Sequence, residues 1–258
     1  MAHRTTLGRP AAAARLASLA AAIVAIAGAA NAQEFRTITG ENNNLANPTW
    51  GKAGSFLLRC SAGAFYGGPT HTWEMGGEGR PNPREVSNIV FSQSDMVFDE
   101  GGRSDMVWQW GQFIDHDLAL THATTDDAVH IAVPTGDPIF DPGSQGKSML
   151  PFFRSVSVYE DGMPWREQPD VLTQLVDASM IYGSDDFKAL WLRELSGGRL
   201  RTTVHAAGVF PPYGDGIVEN DPGPAFGPHG GDHTHMFVAG DVRANEQSGL
   251  LSMHTLWV

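Results

Sequence analysis

The sequence predicts a mainly α-helical protein with long irregular connections and little strand. Three observations carry that expectation. Apolar residues recur at helical spacing after Pro83 and again around Asp105 to Leu120, and a third helical pattern opens near Glu246. Between these stretches, most of the 30 glycines and 16 prolines fall in clusters that break regular structure.

The elements follow in chain order. A basic head (Arg4, Arg9, Arg15) precedes an apolar run from Leu16 to Ala30 and the small-residue string Ala30-Asn31-Ala32. This pattern reads as a secretory signal peptide cleaved after Ala32, which makes the chain secreted or periplasmic and excludes residues 1–32 from the fold. The alternative, a membrane anchor, is disfavoured because the run is short and rich in alanine. No later stretch is apolar enough to cross a bilayer, so the mature chain is expected to have no membrane span. Residues 33–258 are read as one large domain. Residues 34 to 85, rich in Gly, Pro and Asn, read as an extended arm wrapping a core.

A helix is expected from Pro83 and a stronger one over Asp105 to Leu120. Trp108, Trp110, Phe113, Ile114, Leu118 and Leu120 surround the polar residues of the second, so it should be largely buried. Residues 121 to 170 read as loop. Thr173 to Ser179 forms a short motif feeding a helix over Asp185 to Glu194. After a Gly/Pro-rich excursion at 208 to 235, the last helix starts near Glu246 and is expected to be still running at Val258, without a stop signal. That pattern reads as the first part of a longer domain, with an exposed apolar face where the rest would pack.

Charge and cysteine usage narrow the function. All 29 acidic residues follow position 32 and three of the 17 basic ones precede it, so the mature part carries about −15. Nucleic acid is therefore excluded as an expected partner, and bound cations are favoured. Cys60 is the only cysteine, so no internal disulfide braces an exported chain, and it reads as a small buried hydrophobe.

Three strings carry chemistry. In Trp110-Gly111-Gln112-Phe113-Ile114-Asp115-His116-Asp117, helical geometry puts Gln112 and His116 on one face and fans the two aspartates about 100 degrees to either side. Buried acids and a buried imidazole need a metal, a cofactor or each other. In Leu172 to Ser184, oxygen donors recur at alternate positions: Thr173, the Leu175 carbonyl, Asp177 and Ser179. That suits a hard cation; a turn with a helix N-cap made by Asp177 and Ser179 is the other reading. With Asp117 as a further ligand, calcium is preferred. The third string, Ala239 to Gln247 followed by Ser252-Met253-His254-Thr255, contains Arg243 and Glu246, which taken alone could be a surface pair.

Together, in this order, the three strings resemble the animal-type haem peroxidases, bacterial members included, across about residues 36 to 258. Arg80 to Ser87 and Asn43-Asn44-Leu45 fit the same family. The resemblance implies that family's mainly α fold, incomplete at the C-terminus, with haem b and Ca2+ as cofactors. It implies His116 as the distal acid–base residue, Gln112 as its neighbour and Arg243 as the group polarising bound peroxide. Asp115 and Glu246 would be the residues that can form ester bonds to haem, and Asp117, Thr173, Leu175, Asp177 and Ser179 would coordinate calcium. The implied activity is reduction of hydrogen peroxide with oxidation of a halide or an aromatic donor. Two alternatives stand beside it: a fatty-acid dioxygenase of the same superfamily, and a non-catalytic secreted calcium-binding or adhesion module.

The sequence departs from the family at two places. Gln247 occupies the position where some mammalian members carry a methionine that makes a third haem bond, so no such bond is expected. Nothing matches the proximal histidine that ligates iron; a second fragment would supply it, and this chain alone is expected to be inactive. The family gives His254 no axial role, and the His229, His233, His235 group reads as solvated.

Overall fold

Five short helices supply the regular framework of the computed structural model, which describes residues 36–58, 60, 80–159, 166–220 and 235–258. The expected signal peptide, His229 and His233 lie outside the described residues. The helices are α1 (Pro83–Val90), α2 (Met106–Asp115), α3 (Ser179–Tyr182), α4 (Asp186–Trp191) and α5 (Ser248–Thr255). Among the described residues, strand takes the form of four two-stranded antiparallel ribbons. They pair β1 (Ala123–Ala128) with β4 (Phe153–Ser155) and β2 (Ile131–Ala132) with β3 (Met149–Leu150). The other two pair β5 (Val158–Tyr159) with β6 (Arg166–Glu167) and β7 (Thr203–His205) with β8 (Gly208–Phe210). Six of these strands fall in the stretch read as loop, because runs of two to six residues are too short to print an alternating pattern.

The chain divides into two compact units. The first brings together the described residues up to Ala53 with Asp105–Ala119 and Leu172–Val258. Its core is Phe113, Met180, Ile181, Leu250 and Met253, with a second cluster of Trp191, Leu192, Val218 and Val238. Each such side chain contributes roughly 1.5–3 kcal/mol by leaving water. α2 packs on α5: Phe113 meets the His254 ring edge-on at 5.0 Å and stacks with Trp257 at 6.4 Å. Gly249 lies at this contact, where a Cβ would press on the Gln109 carboxamide.

Two expected helix boundaries move for identifiable reasons. α2 stops at Asp115 rather than Leu120, because the Asp117 side chain is captured by the backbone N–H groups of Asp177, Ala178 and Met180 and the Ser179 hydroxyl, and the Ala119 carbonyl by Arg243. α5 starts at Ser248, where extended Gln247 caps it by accepting from the Gly249 N–H at 2.7 Å, and it ends at Thr255 instead of continuing to Val258. The helix expected over Asp185 to Glu194 covers Asp186–Trp191, capped by the Asp185 carboxylate on the Lys188 N–H at 2.8 Å.

Burial corrects two further expectations. Trp108 and Trp110 are 54% and 48% exposed, so α2 is buried only along Gln109 and Phe113, with His116 and Asp117 just past its end. A helix half wrapped by aromatics still shows one side to solvent. Cys60 is exposed, not buried.

The second unit, Gly54–Ser104 with Leu120–Val171, relies on polar anchors. Asn82 caps α1 by accepting from the Arg84 and Glu85 N–H groups, with Pro83 pre-set for the first turn. Arg84 forks onto Asp137 at 2.6 and 3.0 Å, and Asp127 accepts from Arg154 at 2.6 Å and Arg166 at 3.0 Å.

Candidate functional site

All ten residues singled out by the sequence lie in the first unit, and the fold gathers most of them at the C-terminal end of α2. His116 is 3% exposed. Its Nδ1 lies 3.6 Å from Asp241 Oδ1 and its Nε2 3.8 Å from Glu246 Oε2. Burial lowers its affinity for a proton, Asp241 opposes that, Arg243 adds to it, and Asp115 opposes it; the net shift is downward. The ring is thus neutral at neutral pH and able to accept a proton.

Arg243 is held by one neighbour. The Asp241 carboxylate accepts its Nε at 3.0 Å and its Nη2 at 2.8 Å, and Nη2 also donates to the Ala119 carbonyl at 3.0 Å. Such a fork fixes a guanidinium in orientation as well as position. Gln112 Nε2 donates to Glu246 Oε2 at 2.8 Å, while Gln247 Nε2 donates to Gln112 Oε1 at 3.0 Å and to Gln109 Oε1. The amides thereby form a directed row ending on Glu246. Asp115 is exposed and the Glu246 side chain is 26% exposed, so two carboxylates beside the imidazole reach solvent.

A cage of oxygens sits immediately behind. Asp117, Thr173 and Ser179 are fully buried. Asp117 Oδ2 accepts from the Asp177 and Ala178 N–H groups, each at 2.9 Å; its Oδ1 accepts the Ser179 hydroxyl at 2.8 Å and the Met180 N–H at 3.3 Å. Thr173 Oγ1 donates to Asp177 Oδ1 at 2.9 Å. Ala178 adopts a left-handed backbone (φ 65°) to serve this loop, a conformation that costs a non-glycine residue roughly 1 kcal/mol. Burial raises the Asp177 proton affinity; Arg36 and Thr173 work against it, and the Asp117 charge adds to it. Two carboxylates and two hydroxyls, with no nitrogen or sulfur among them, fit a hard cation such as calcium. Leu175 is placed differently: its carbonyl accepts from the Asp177 N–H at 3.0 Å.

Sequence reasoning passed over two buried groups, Asp241 and Lys188, and gave a third, His254, no role. Asp241 is fully buried, and although burial works against ionisation, Arg243 and His116 hold its proton affinity below the ordinary value. Lys188 and His254, both buried, face it electrostatically, and burial pushes His254 down to about 4. The available signal was the Asp241-Val242-Arg243 spacing, an acid two positions before a site arginine. His235, the described member of the loop histidines, is exposed.

Comparison with known proteins gives a consistent result. A family profile described as animal haem peroxidase matches residues 35–258. Peroxinectin A of Dictyostelium discoideum is 32% identical over 242 residues, covering 88% of this chain and 43% of that protein. Thyroid peroxidase of Sus scrofa is 31% identical, covering 88% and 28%. Among solved structures, peroxidase A from Dictyostelium discoideum superposes with a TM-score of 0.74 at 29% identity, over 87% of this chain and 44% of that one. A fatty acid alpha-dioxygenase from Arabidopsis thaliana reaches 0.59 at 18% identity, over 86% and 30%, which shows a shared fold alone. The chain spans less than half the length of these relatives.

Proposed function

The chain belongs to the animal haem peroxidase family, and from that premise we propose that residues 33–258 form the distal part of a secreted, calcium-dependent haem peroxidase that reduces hydrogen peroxide. The observation that carries the proposal is the pairing of a buried, neutral His116 with an Arg243 clamped by Asp241 in the same unit. A structural histidine needs no such neighbour, whereas splitting peroxide needs a base and a fixed positive charge.

Haem b, when bound, supplies the iron that takes up the oxidising equivalents of peroxide. His116 Nε2 accepts a proton from one peroxide oxygen and returns it to the departing one. Arg243 stabilises the negative charge that develops as the O–O bond opens. Gln112 orients within the same pocket through its bond to Glu246. Asp115 and Glu246 are the carboxylates available for ester bonds to the haem edge. Asp117, Thr173, Asp177 and Ser179 would hold calcium and so fix the end of α2 that carries His116. The electron donor in this reading is a halide or an aromatic molecule. Export follows cleavage after Ala32. No described helix is long and apolar enough to cross a membrane.

The dioxygenase alternative rests on fold likeness alone, while the peroxidase relatives are nearer in sequence. An adhesion module would not require the buried His116–Asp241–Arg243 arrangement.

The test loads the purified chain, complemented by a family fragment that supplies the proximal histidine, with haem and calcium, records the absorption spectrum of this haem-loaded chain, and challenges it with peroxide. A sharp Soret band that changes on peroxide is expected, with His116→Gln retaining the band and losing the peroxide reaction by about 10²- to 10⁴-fold. No Soret band, or a His116→Gln variant that reacts as fast as the parent, overturns the proposal.

A further inference from the structure

Asp241 is fixed in the fold through its backbone. Gly240 presses its backbone against α3, where a Cβ would collide with the Ser179 carbonyl oxygen and lie 2.5 Å from the Gly183 nitrogen. The Asp241 N–H donates to the Met180 carbonyl at 2.9 Å. The side chain is fully buried, so its charge is little screened.

Two groups depend on that carboxylate. Oδ1 accepts the Arg243 backbone N–H at 2.8 Å and Nε at 3.0 Å, while Oδ2 accepts Nη2 at 2.8 Å. With Nη2 also tied to Ala119, Nη1 is the guanidinium nitrogen that has no protein partner among the described residues. Oδ1 also lies 3.6 Å from His116 Nδ1, a buried atom without a hydrogen bond. That separation exceeds a hydrogen bond, but a nearby buried negative charge still favours the tautomer with its proton on Nδ1. The lone pair then falls on Nε2. Glu246 pulls the other way from 3.8 Å, yet it is 26% exposed and its Oε2 already accepts from Gln112, so its influence is the weaker. The remaining charged or titratable neighbours are Arg243, Asp115 and His254.

We propose that Asp241 is the positioning residue of this site: it aims Arg243 Nη1 at the ligand and sets His116 as the Nδ1–H tautomer with Nε2 as the acceptor. The proposal rests on the peroxidase reading for its purpose, but its geometry can be checked without haem.

The experiment is nitrogen-15 NMR of the chain labelled at arginine and histidine, for wild type, Asp241→Asn and Asp241→Glu. In wild type, His116 should carry its proton on Nδ1, and the Arg243 Nε–H should exchange with solvent at least tenfold more slowly than that of exposed Arg199. Asp241→Asn should lose both signatures, and Asp241→Glu should restore the slow exchange in part. An Nε2–H tautomer in wild type, or an Asp241→Asn spectrum that keeps both signatures, overturns the proposal. If Asp241→Asn fails to fold, the wild-type spectrum still decides. In the haem-loaded chain, Asp241→Asn should lower the peroxide rate at least tenfold with the donor KM unchanged; an unchanged rate also overturns it. The absence of any peroxide reaction in haem-loaded wild type would instead overturn the peroxidase reading alone.

Discussion

Asp137 of the second unit and Asp177 of the first are pushed in opposite directions by their surroundings. In the second, Asp137 is closed on every side: Arg84, Asn88 and the Ile139 and Phe140 N–H groups bond it, and the Arg84 bond leads in holding its proton affinity well below the carboxylate range. Asp141 is likewise wrapped by the N–H groups of Gly146, Gly136 and Gln145. In the first unit, Asp177 is pushed upward, chiefly by burial, and two fully buried imidazoles, His116 and His254, have ring nitrogens without hydrogen bonds. Satisfied acids hold loops together. Incompletely satisfied ones store a demand that a cation or a cofactor can meet.

The largest expected effect tests the cage. Asp117→Ala strips the acceptor from three backbone N–H groups and the Ser179 hydroxyl, each of which costs about 1–3 kcal/mol when left buried and unpaired. A loss of at least about 4 kcal/mol is expected, and calcium should no longer raise the midpoint of thermal unfolding. Should the variant unfold within 1 kcal/mol of wild type, or keep its calcium response, the cage is not what holds the end of α2.

Asp127→Ala applies the same operation to the scaffold. It leaves Arg154 and Arg166, both largely buried, without their shared carboxylate, and removing one partner of a buried pair costs roughly 3 kcal/mol or more. Urea unfolding should show that loss to be the same with and without calcium. A calcium-dependent loss would erase the distinction drawn between the two units.

Much of the site was legible in the sequence because its residues sit at fixed offsets within single elements. Gln112 and His116 share a face of α2 by helical spacing, and Thr173, Asp177 and Ser179 alternate along one loop that converges on Asp117. What escaped depended on contacts between distant segments. Asp241 became a central residue only through the turn that brings it to His116, 125 positions away, and no local pattern marks such a meeting. The early stop of α2 was hidden for the same reason: its cause is capture of Asp117 by residues 177 to 180. The exposed side of Trp108 and Trp110 contradicted a rule that counts aromatics without knowing what covers them. Short ribbons such as β2–β3 have too few residues to carry a period at all.

His254 offers a pH test of the unmet demand. Its ring is a base whose folded affinity is lowered from 6.5 to about 4, chiefly by burial, with Asp241 opposing and His116 and Lys188 assisting. Above pH 6.5 neither the folded nor the unfolded form is charged. Between 6.5 and about 4 the unfolded chain takes up a proton that the folded chain refuses, so stability falls as pH falls, by about 3 kcal/mol across the window. Unfolding free energies of wild type and His254→Leu across pH 4 to 7 should diverge by that amount at the acid end. Parallel curves would mean that the ring is already compensated in the folded protein.

The smallest effect concerns the amide row, where the two kinds of environment meet. Gln247 both caps α5, through the Gly249 N–H, and fixes Gln112 by donating to its Oε1, which directs Gln112 Nε2 onto Glu246. Gln247→Ala removes the cap, at about 1 kcal/mol, and frees one end of Gln112. Because His116 and Arg243 keep their own anchors, the peroxide reaction of the haem-loaded chain should slow only a few-fold. A hundredfold loss would show that Gln112 is held by Gln247 rather than by Glu246, and would extend the site to the start of α5. An unchanged rate with the expected stability loss would confine Gln247 to the scaffold, alongside the satisfied acids of the second unit.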